Sequence, residues 1–478
     1  MLALAFASLM AANASAPAAT PAVVLHGSLT GEDNKTWRLV PFDVPPGTTR
    51  ITVDFDYTTR DAHTTIDLGL RGPDGFRGWS GGNKRSFTVA ATDATPSYLP
   101  GPIQPGQWNL MLGIPNIRPG IEAEYTANIR FEHEFTGPVL RTEPGWYRGD
   151  LHMHTAHSDG SCLSRRQQRV PCPLFLTVQA ASTRGLDFIA ITDHNTTSHA
   201  DAIRELQPYF DDLLLIPGRE ITTFEGHANL YGTLAPLDFR VGSTDVPDWN
   251  TLLANVAQVG GLLSINHPIR PTGEQCLGCG WTPKGAVDYT RVQAVEVVNG
   301  HDADTAFSGV GFWEHLLNQG YQLTAIGGSD THDAQSSGSL GTPTTVVYAD
   351  TLSQPAIAAA IRRGRVFVDV TGTHDRSLDL DATLNGQTAH MGDTLTVSPG
   401  ARVHFSGTVT AVAGGEVEVI LDGARTPLLE DPRINAPTKT FEFSWRCDGG
   451  RHWLRINVRD PNGRLALVGN PVYLRAKH

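Results

Sequence analysis

The densest chemistry in the chain lies in residues 150–160, Asp-Leu-His-Met-His-Thr-Ala-His-Ser-Asp-Gly. Side chains on an extended strand alternate faces, so His152 and His154 point the same way and are spaced to grip one metal ion together. His157 and Asp159 follow on the turn that leaves the strand, within reach of a second ion. Imidazoles and carboxylates gathered inside a protein must be paired or ligated. A histidine-rich surface loop is the plain alternative for this stretch alone.

Similar donor-bearing stretches recur downstream, mostly at the ends of predicted strands: Thr192-Asp-His-Asn195, Gly218-Arg-Glu220, Gly226-His-Ala-Asn229, Asn266-His-Pro268 and Gly327-Gly-Ser-Asp-Thr-His332. Strand-like runs at 147–152, 187–192, 213–217, 228–231, 262–265, 294–298 and 323–326 alternate in part with helix-compatible stretches at 174–184, 248–258, 311–319 and 354–363. Repeated βα units predict a parallel sheet over residues 144–372, and closed into a ring they make a barrel whose active site lies at the C-terminal ends of its strands. That arrangement would draw all the donors around one pocket.

The flanks read differently. Residues 22–143 alternate apolar and polar positions in short runs separated by Gly- and Pro-rich turns, the pattern of a β-sandwich. It resembles the jelly-roll-like accessory domains of secreted bacterial hydrolases in pattern alone. Residues 373–478 return to the same pattern and predict a second small sandwich. An apolar start followed by small residues predicts a signal peptide over residues 1–20, although a basic n-region is missing. Export to the periplasm or beyond is therefore expected, and no later run reaches the roughly 20 apolar residues of a membrane span. With 37 basic against 49 acidic residues and a formal charge of −12, no global basic field draws in nucleic acid. Five cysteines in an exported chain suggest local disulfides among Cys162, Cys172, Cys276 and Cys279, with at least one thiol left over. The two pairs lie in loops after His154 and His267 and are expected to brace a lid over the site, with a link between the pairs as one option.

The ordered set DLHMHT with HSDG, then TDHN, GRE, GHANLYG, NHP and GSDTH, resembles the PHP (polymerase and histidinol phosphatase) metallohydrolases over about 230 of the 478 residues. The flanking β-regions and the cysteine-bearing insert are most similar to the secreted branch that includes carbaryl hydrolase. The resemblance implies a distorted (β/α)7 barrel flanked by N- and C-terminal sandwiches. It implies a first metal held by His152, His154, Glu220 and Asp330, with Glu220 bridging to a second ion bound by His227 and His267. Asp159, His194 and His332 match a third position, and either His157 or Asp159 fills the HSDG place. Two or three divalent ions follow, with Zn, Mn and Fe all suited to mixed imidazole and carboxylate ligands.

The expected activity is metal-dependent hydrolysis of a small-molecule ester by a metal-activated water, a phosphoester in first place. Glu220, Arg270 and His194 are expected to act in catalysis, Arg270 by holding a phosphate in its planar fork. Arg219 and His301 are further candidates for the substrate side. Asp150 and Asp193 either orient ligand imidazoles or cap backbone N–H groups. Cleavage of a carbamate or carboxylic ester is the alternative reaction. A non-catalytic metal-containing binding protein is the alternative class. Oligomeric state is not readable from the sequence.

Overall fold

The computed structural model describes residues 22–132, 137–274, 276–336 and 338–476. The expected signal peptide, residues 1–20, lies outside them. The chain divides into two compact units, Met1–Glu134 and Phe135–His478.

In the first unit, eight strands form two four-stranded antiparallel sheets. One runs in the order Val23–Thr30, Glu122–Glu132, Arg50–Tyr57, Ser86–Ala90, the other Thr36–Val44, Gly106–Asn116, Thr65–Gly72, Gly75–Gly81. Alternation does the work: in Glu122–Glu132 every second residue from Ala123 to Ile129 is buried while its neighbours face outward. Leu29, Ile51, Val53, Leu68, Trp108 and Ile129 share one apolar core.

The second unit corrects the barrel expectation. The described chain is mostly β, 44% strand against 12% helix, with five α-helices and several sheets. An α/β barrel needs a helix between successive parallel strands. Here Leu214–Thr223 turns straight into Gly226–Tyr231, which pairs antiparallel with it and again antiparallel with Leu262–Ile265. Gly145–Asp150 pairs antiparallel with Thr344–Ala349, which pairs antiparallel with Val366–Asp369. Nor do the strands beyond residue 373 stand apart. Leu465–Gly469 pairs with Val366–Asp369 and continues the same sheet through His452–Arg459 to Glu416–Leu421. Asn470 binds that edge from more than a hundred residues away in sequence: its side chain accepts from Ala325 N at 2.7 Å and donates to Ala325 O at 3.0 Å and Val366 O at 2.8 Å. A second antiparallel sheet, Gln387–His390, Ser377–Leu384, Arg402–Thr410 and Thr438–Arg446, shares a core with it through Leu380, Phe405, Phe443, Ile456 and Leu474.

Within residues 144–372 parallel pairing survives in two patches, and beyond them Thr394–Val397 pairs parallel with Val472–Ala476. Phe188–Ile191 lies between Gly145–Asp150 and Leu214–Thr223, and Ala294–Asn299 lies between Leu262–Ile265 and Thr324–Gly328. These strands are buried along their length, which is why they read as mostly apolar runs, broken only by Ser264, Glu296 and Asn299. The helices predicted at 174–184, 248–258, 311–319 and 354–363 appear as Leu174–Thr183, Trp249–Val259, Val310–Gln319 and Gln354–Arg363. Asp248 caps the second of these by accepting from Thr251 N. Among the described residues no helix is long and apolar enough to cross a membrane.

Candidate metal centre

The donors cluster where chain leaves strand. His152 and His154 follow Gly145–Asp150, Asp193 and His194 follow Phe188–Ile191, His267 follows Leu262–Ile265, and Asp330 and His332 follow Thr324–Gly328. Glu220 and His227 lie within the hairpin Leu214–Tyr231. Backbone hydrogen bonds lock these segments together: Asp330 N donates to His152 O at 2.8 Å, His154 N to Thr331 O at 2.9 Å, and Asn195 N to Glu220 O at 2.9 Å. Asn195, His267 and Asp330 take positive φ of 53°, 25° and 53°. Such conformations in non-glycine residues persist only where the surroundings impose them.

Glu220, 1% exposed, is the centre. Its oxygens lie 3.3 Å from His152 Nε2, 3.4 Å from His154 Nε2, 3.0 Å from His194 Nδ1, 3.3 Å from His227 Nδ1 and 3.2 Å from His267 Nε2. Asp330 Oδ1 lies 3.4 Å from His152 Nε2 and 3.1 Å from His154 Nε2. At the open mouth, Asp159 Oδ1 stands 3.6 Å from His194 Nε2, 3.4 Å from His332 Nε2 and 3.9 Å from His154 Nδ1. Three sets are compact enough to hold a metal ion: His152, Glu220 and His267; His152, His154 and Asp330; and His154, Asp159, His194 and His332. His227 reaches Glu220 but falls outside those sets. His157 turns away to Ser198 Oγ at 2.8 Å, so Asp159 is the HSDG residue that faces the cluster.

These residues fit a divalent cation on two grounds. Two donors each about 2.1 Å from one ion stand roughly 3.0 Å apart at a right angle and roughly 3.4 Å at the tetrahedral angle, which is the range found around Glu220 and Asp330. The second ground is the outer partners, since a metal-binding imidazole usually donates its other N–H to a carboxylate or carbonyl. His152 Nδ1 lies 2.9 Å from Glu296 Oε1, His267 Nδ1 2.9 Å from Cys279 O, His227 Nε2 3.3 Å from Leu277 O and His332 Nδ1 2.9 Å from Asp330 O. Carboxylates and carbonyls only accept, so each contact places the proton on the outer nitrogen and turns the lone pair inward. His152 Nε2 is buried with no hydrogen-bond partner.

The electrostatics match. Burial opposes a proton on His152, but Asp330, Glu296 and Glu220 override it and raise its pKa well above the ordinary range. Burial works against the charge of Glu220 and of Asp330 too, and His152 with its neighbours holds both carboxyls well below the usual range. His194 is desolvated yet pushed up to about 10 by Asp159 and Glu220. The carboxylates are thus balanced by the imidazoles around them, and together they form groups close enough to hold a metal ion.

The other expected residues divide. Arg270 reaches the cavity beside His267 and Asp330, but its guanidinium is engaged by Asp302 at 2.7 Å and Asn299 Oδ1 at 3.0 Å. Arg219 faces away from Glu220 on the strand; it is buried and donates to Thr233 O and Ala235 O. His301 is exposed. Asp150 caps backbone, accepting from His152 N, Ser329 N and Gly341 N. Asp193 accepts from Thr155 N and Oγ1, from Ser158 Oγ and from His199 Nδ1, and reaches His154 only through Ser158. The cysteines pair locally, Cys162 with Cys172 and Cys276 with Cys279, and the two pairs are not joined to each other; Cys447 is free and buried.

Two functional partners escaped the sequence reading. Glu296 sits inside the strand Ala294–Asn299, where its signal was one acidic residue in an otherwise apolar run. His199, given no role from sequence, is fully buried against Asp193, and nothing in its local sequence set it apart. A scan of the chain against protein-family models finds no match, and a search of curated proteins finds no similar sequence.

Proposed function

We propose that this chain is an exported, metal-dependent hydrolase acting on a small-molecule ester, a phosphoester in first place. The observation that carries it is the aim of the histidines: four of them spend one nitrogen on a carboxylate or carbonyl and turn the other toward Glu220, Asp330 or Asp159. The motif order resembles the PHP metallohydrolases, and the proposal takes from that resemblance the chemistry and not the barrel. Bound divalent ions, two or three of Zn, Mn or Fe, would supply Lewis acidity and a nucleophilic water.

The chain's own residues do the rest. His152, His154, Glu220 and Asp330 would hold one ion, His227 and His267 with Glu220 a second, and Asp159, His194 and His332 a third at the mouth. Glu220, buried, and Asp330, partly exposed, keep the charge of the cluster balanced. When the third position is empty, His194, 28% exposed and in reach of Asp159, is free to move a proton between the site and solvent. Arg270 presents its exposed edge to a cavity of about 650 Å³ lined also by His267, Phe307 and Asp330, where it can hold an ester oxygen. Two local disulfides support the exported setting.

One contact favours a second reading. Asp302 offsets the charge of Arg270, so the cavity has less cationic surplus than a dianionic phosphate would use. A neutral carbamate or carboxylic ester suits it as well. Elemental analysis of the purified chain, run beside p-nitrophenyl phosphate, phosphodiester, acetate and carbamate substrates, tests both. Metal with phosphoester turnover that is lost in His154→Ala supports the first reading, and turnover of carboxyl esters alone supports the second. Metal without turnover would point to a binding protein, and no metal would refute the proposal.

A further inference from the structure

The segment Cys276-Leu-Gly-Cys-Gly280 is the sequence feature that the proposed chemistry leaves unused. Its two cysteines are joined to each other. Two of its carbonyls meet two of the central histidines, Leu277 O at 3.3 Å from His227 Nε2 and Cys279 O at 2.9 Å from His267 Nδ1. Each carbonyl can only accept, so each fixes its ring's proton on the outer nitrogen. The inward atoms left by this choice, His227 Nδ1 and His267 Nε2, stand 3.3 and 3.2 Å from the same oxygen of Glu220.

The loop is seated from both sides. Trp281 N donates to Pro268 O and Gly280 N to Thr272 Oγ1, both at 2.9 Å, tying the segment back to the chain that follows His267. At Gly278, φ +76°, a Cβ would stand 1.9 Å from Thr223 O, and at Gly280 one would stand 2.3 Å from Arg270 O. Backbone therefore presses on backbone at both points, and only glycine allows it.

We propose that the Cys276–Cys279 loop is a positioning element of the metal centre: its carbonyls set the tautomer and aim of His227 and His267, and the disulfide keeps those carbonyls in place. The inference rests on the metal-binding reading above. It assigns the loop to the half of the centre that shares one oxygen of Glu220, and leaves the mouth around Asp159 untouched. The other pair, Cys162–Cys172, closes the hairpin of Ser161–Leu163 and Arg169–Pro171 and meets the mouth through backbone alone, Ser161 N donating to His332 O at 2.7 Å and Cys172 O accepting from Ala156 N at 2.8 Å; among the described residues none of its carbonyls accepts from the ring of His227 or His267.

The test is Co²⁺ binding to the full chain, read by visible d–d absorption and by competition with a chelator. Cys276→Ser/Cys279→Ser and Gly278→Ala should each bind one ion about 10- to 100-fold more weakly, the usual effect of losing a ligand's outer partner, with a changed cobalt spectrum. Cys162→Ser/Cys172→Ser should match wild type at the ion held by His227 and His267 with Glu220. If the double serine variant fails to fold, Gly278→Ala decides, because it keeps both sulfurs and displaces the loop from Thr223. Loop variants with wild-type affinity and spectrum would overturn the inference while the metal site stands, as would an equal loss in the Cys162/Cys172 control. Wild type that takes up no Co²⁺ would instead end the reading on which the inference rests.

Discussion

Replacing Glu296 by glutamine keeps the side chain's volume and removes one acceptor from a place that needs two. Glu296, 2% exposed, accepts three N–H groups: Oε1 takes His152 Nδ1 at 2.9 Å, and Oε2 takes His267 N at 3.0 Å and Asn299 Nδ2 at 3.1 Å. An amide has one oxygen, and with two donors on the Oε2 side it belongs there, so the NH2 group faces His152. His152 must then move its proton to Nε2, the nitrogen aimed at Glu220 and Asp330, and lose the lone pair that a metal would use. The loss expected for an outer carboxylate partner is about 10- to 100-fold in metal affinity, or about 1.4–2.7 kcal/mol. Chelator competition for Zn²⁺ at neutral pH measures it on the full-length chain. Glu296→Ala serves as contrast: it strands three buried N–H groups at about 1–3 kcal/mol each and should show first as a lower melting temperature. Wild-type affinity in folded Glu296→Gln would refute the idea that this carboxylate fixes the tautomer of His152.

Three further outcomes are expected. His194 is desolvated but held up to about 10 by Asp159 and Glu220; a raised pKa stabilises the metal-free fold fully below its ordinary value near 6.5, and that contribution fades as pH climbs toward 10. Differential scanning calorimetry should show the metal-free melting temperature falling across that window and the increment from added Zn²⁺ growing, because metal and proton compete for the same imidazoles; an increment that is flat with pH would count against it. Asp193 is buried, which disfavours its charge, yet His199, Ser158 and Thr155 pull its pKa down to about 2, so its contribution of roughly 2 kcal/mol is present above pH about 4 and lost as pH falls toward 2. Asp193→Asn should therefore lower stability at neutral pH and flatten the acid limb of the unfolding profile; an unchanged acid limb would remove Asp193 from that role. Cys162 and Cys172 close a loop at a sequence separation of 10, worth about 3 kcal/mol by the chain-entropy relation, and Cys162→Ala/Cys172→Ala should lower the denaturation free energy in urea by that order.

The donors of the site were legible because their chemistry is concentrated. His152, His154, Glu220, His227, His267 and Asp330 stand in short polar stretches beside apolar runs, and burial forces such residues together. The sheet that carries them was misread because a run such as residues 294–298 shows that a strand is buried but not which neighbour it takes or in which direction. The hairpin between Leu214–Thr223 and Gly226–Tyr231 replaces a crossover with two residues, and the pairing of Val366–Asp369 with Leu465–Gly469 spans nearly a hundred positions. Neither leaves a mark in local periodicity. Arg270 was readable as a cation, but the Asp302 that engages it was chosen by the fold. Glu296 was visible as an oddity and mute as to partner, since the imidazole it supports lies 144 residues upstream.

Asn470 has a consequence for the order of events in the life of the molecule. Its amide closes the backbone of Ala325 and Val366, five residues before Asp330 in the first case. While the chain is being made, every strand bearing a candidate ligand emerges long before the segment that covers that edge. The nascent protein must therefore carry an unfinished sheet margin, open to other strands, until distant contacts form, and such topologies assemble slowly. Metal uptake would belong to the end of this sequence. A cell that makes this protein has reason to keep it unfolded, or chaperoned, until synthesis has passed residue 470.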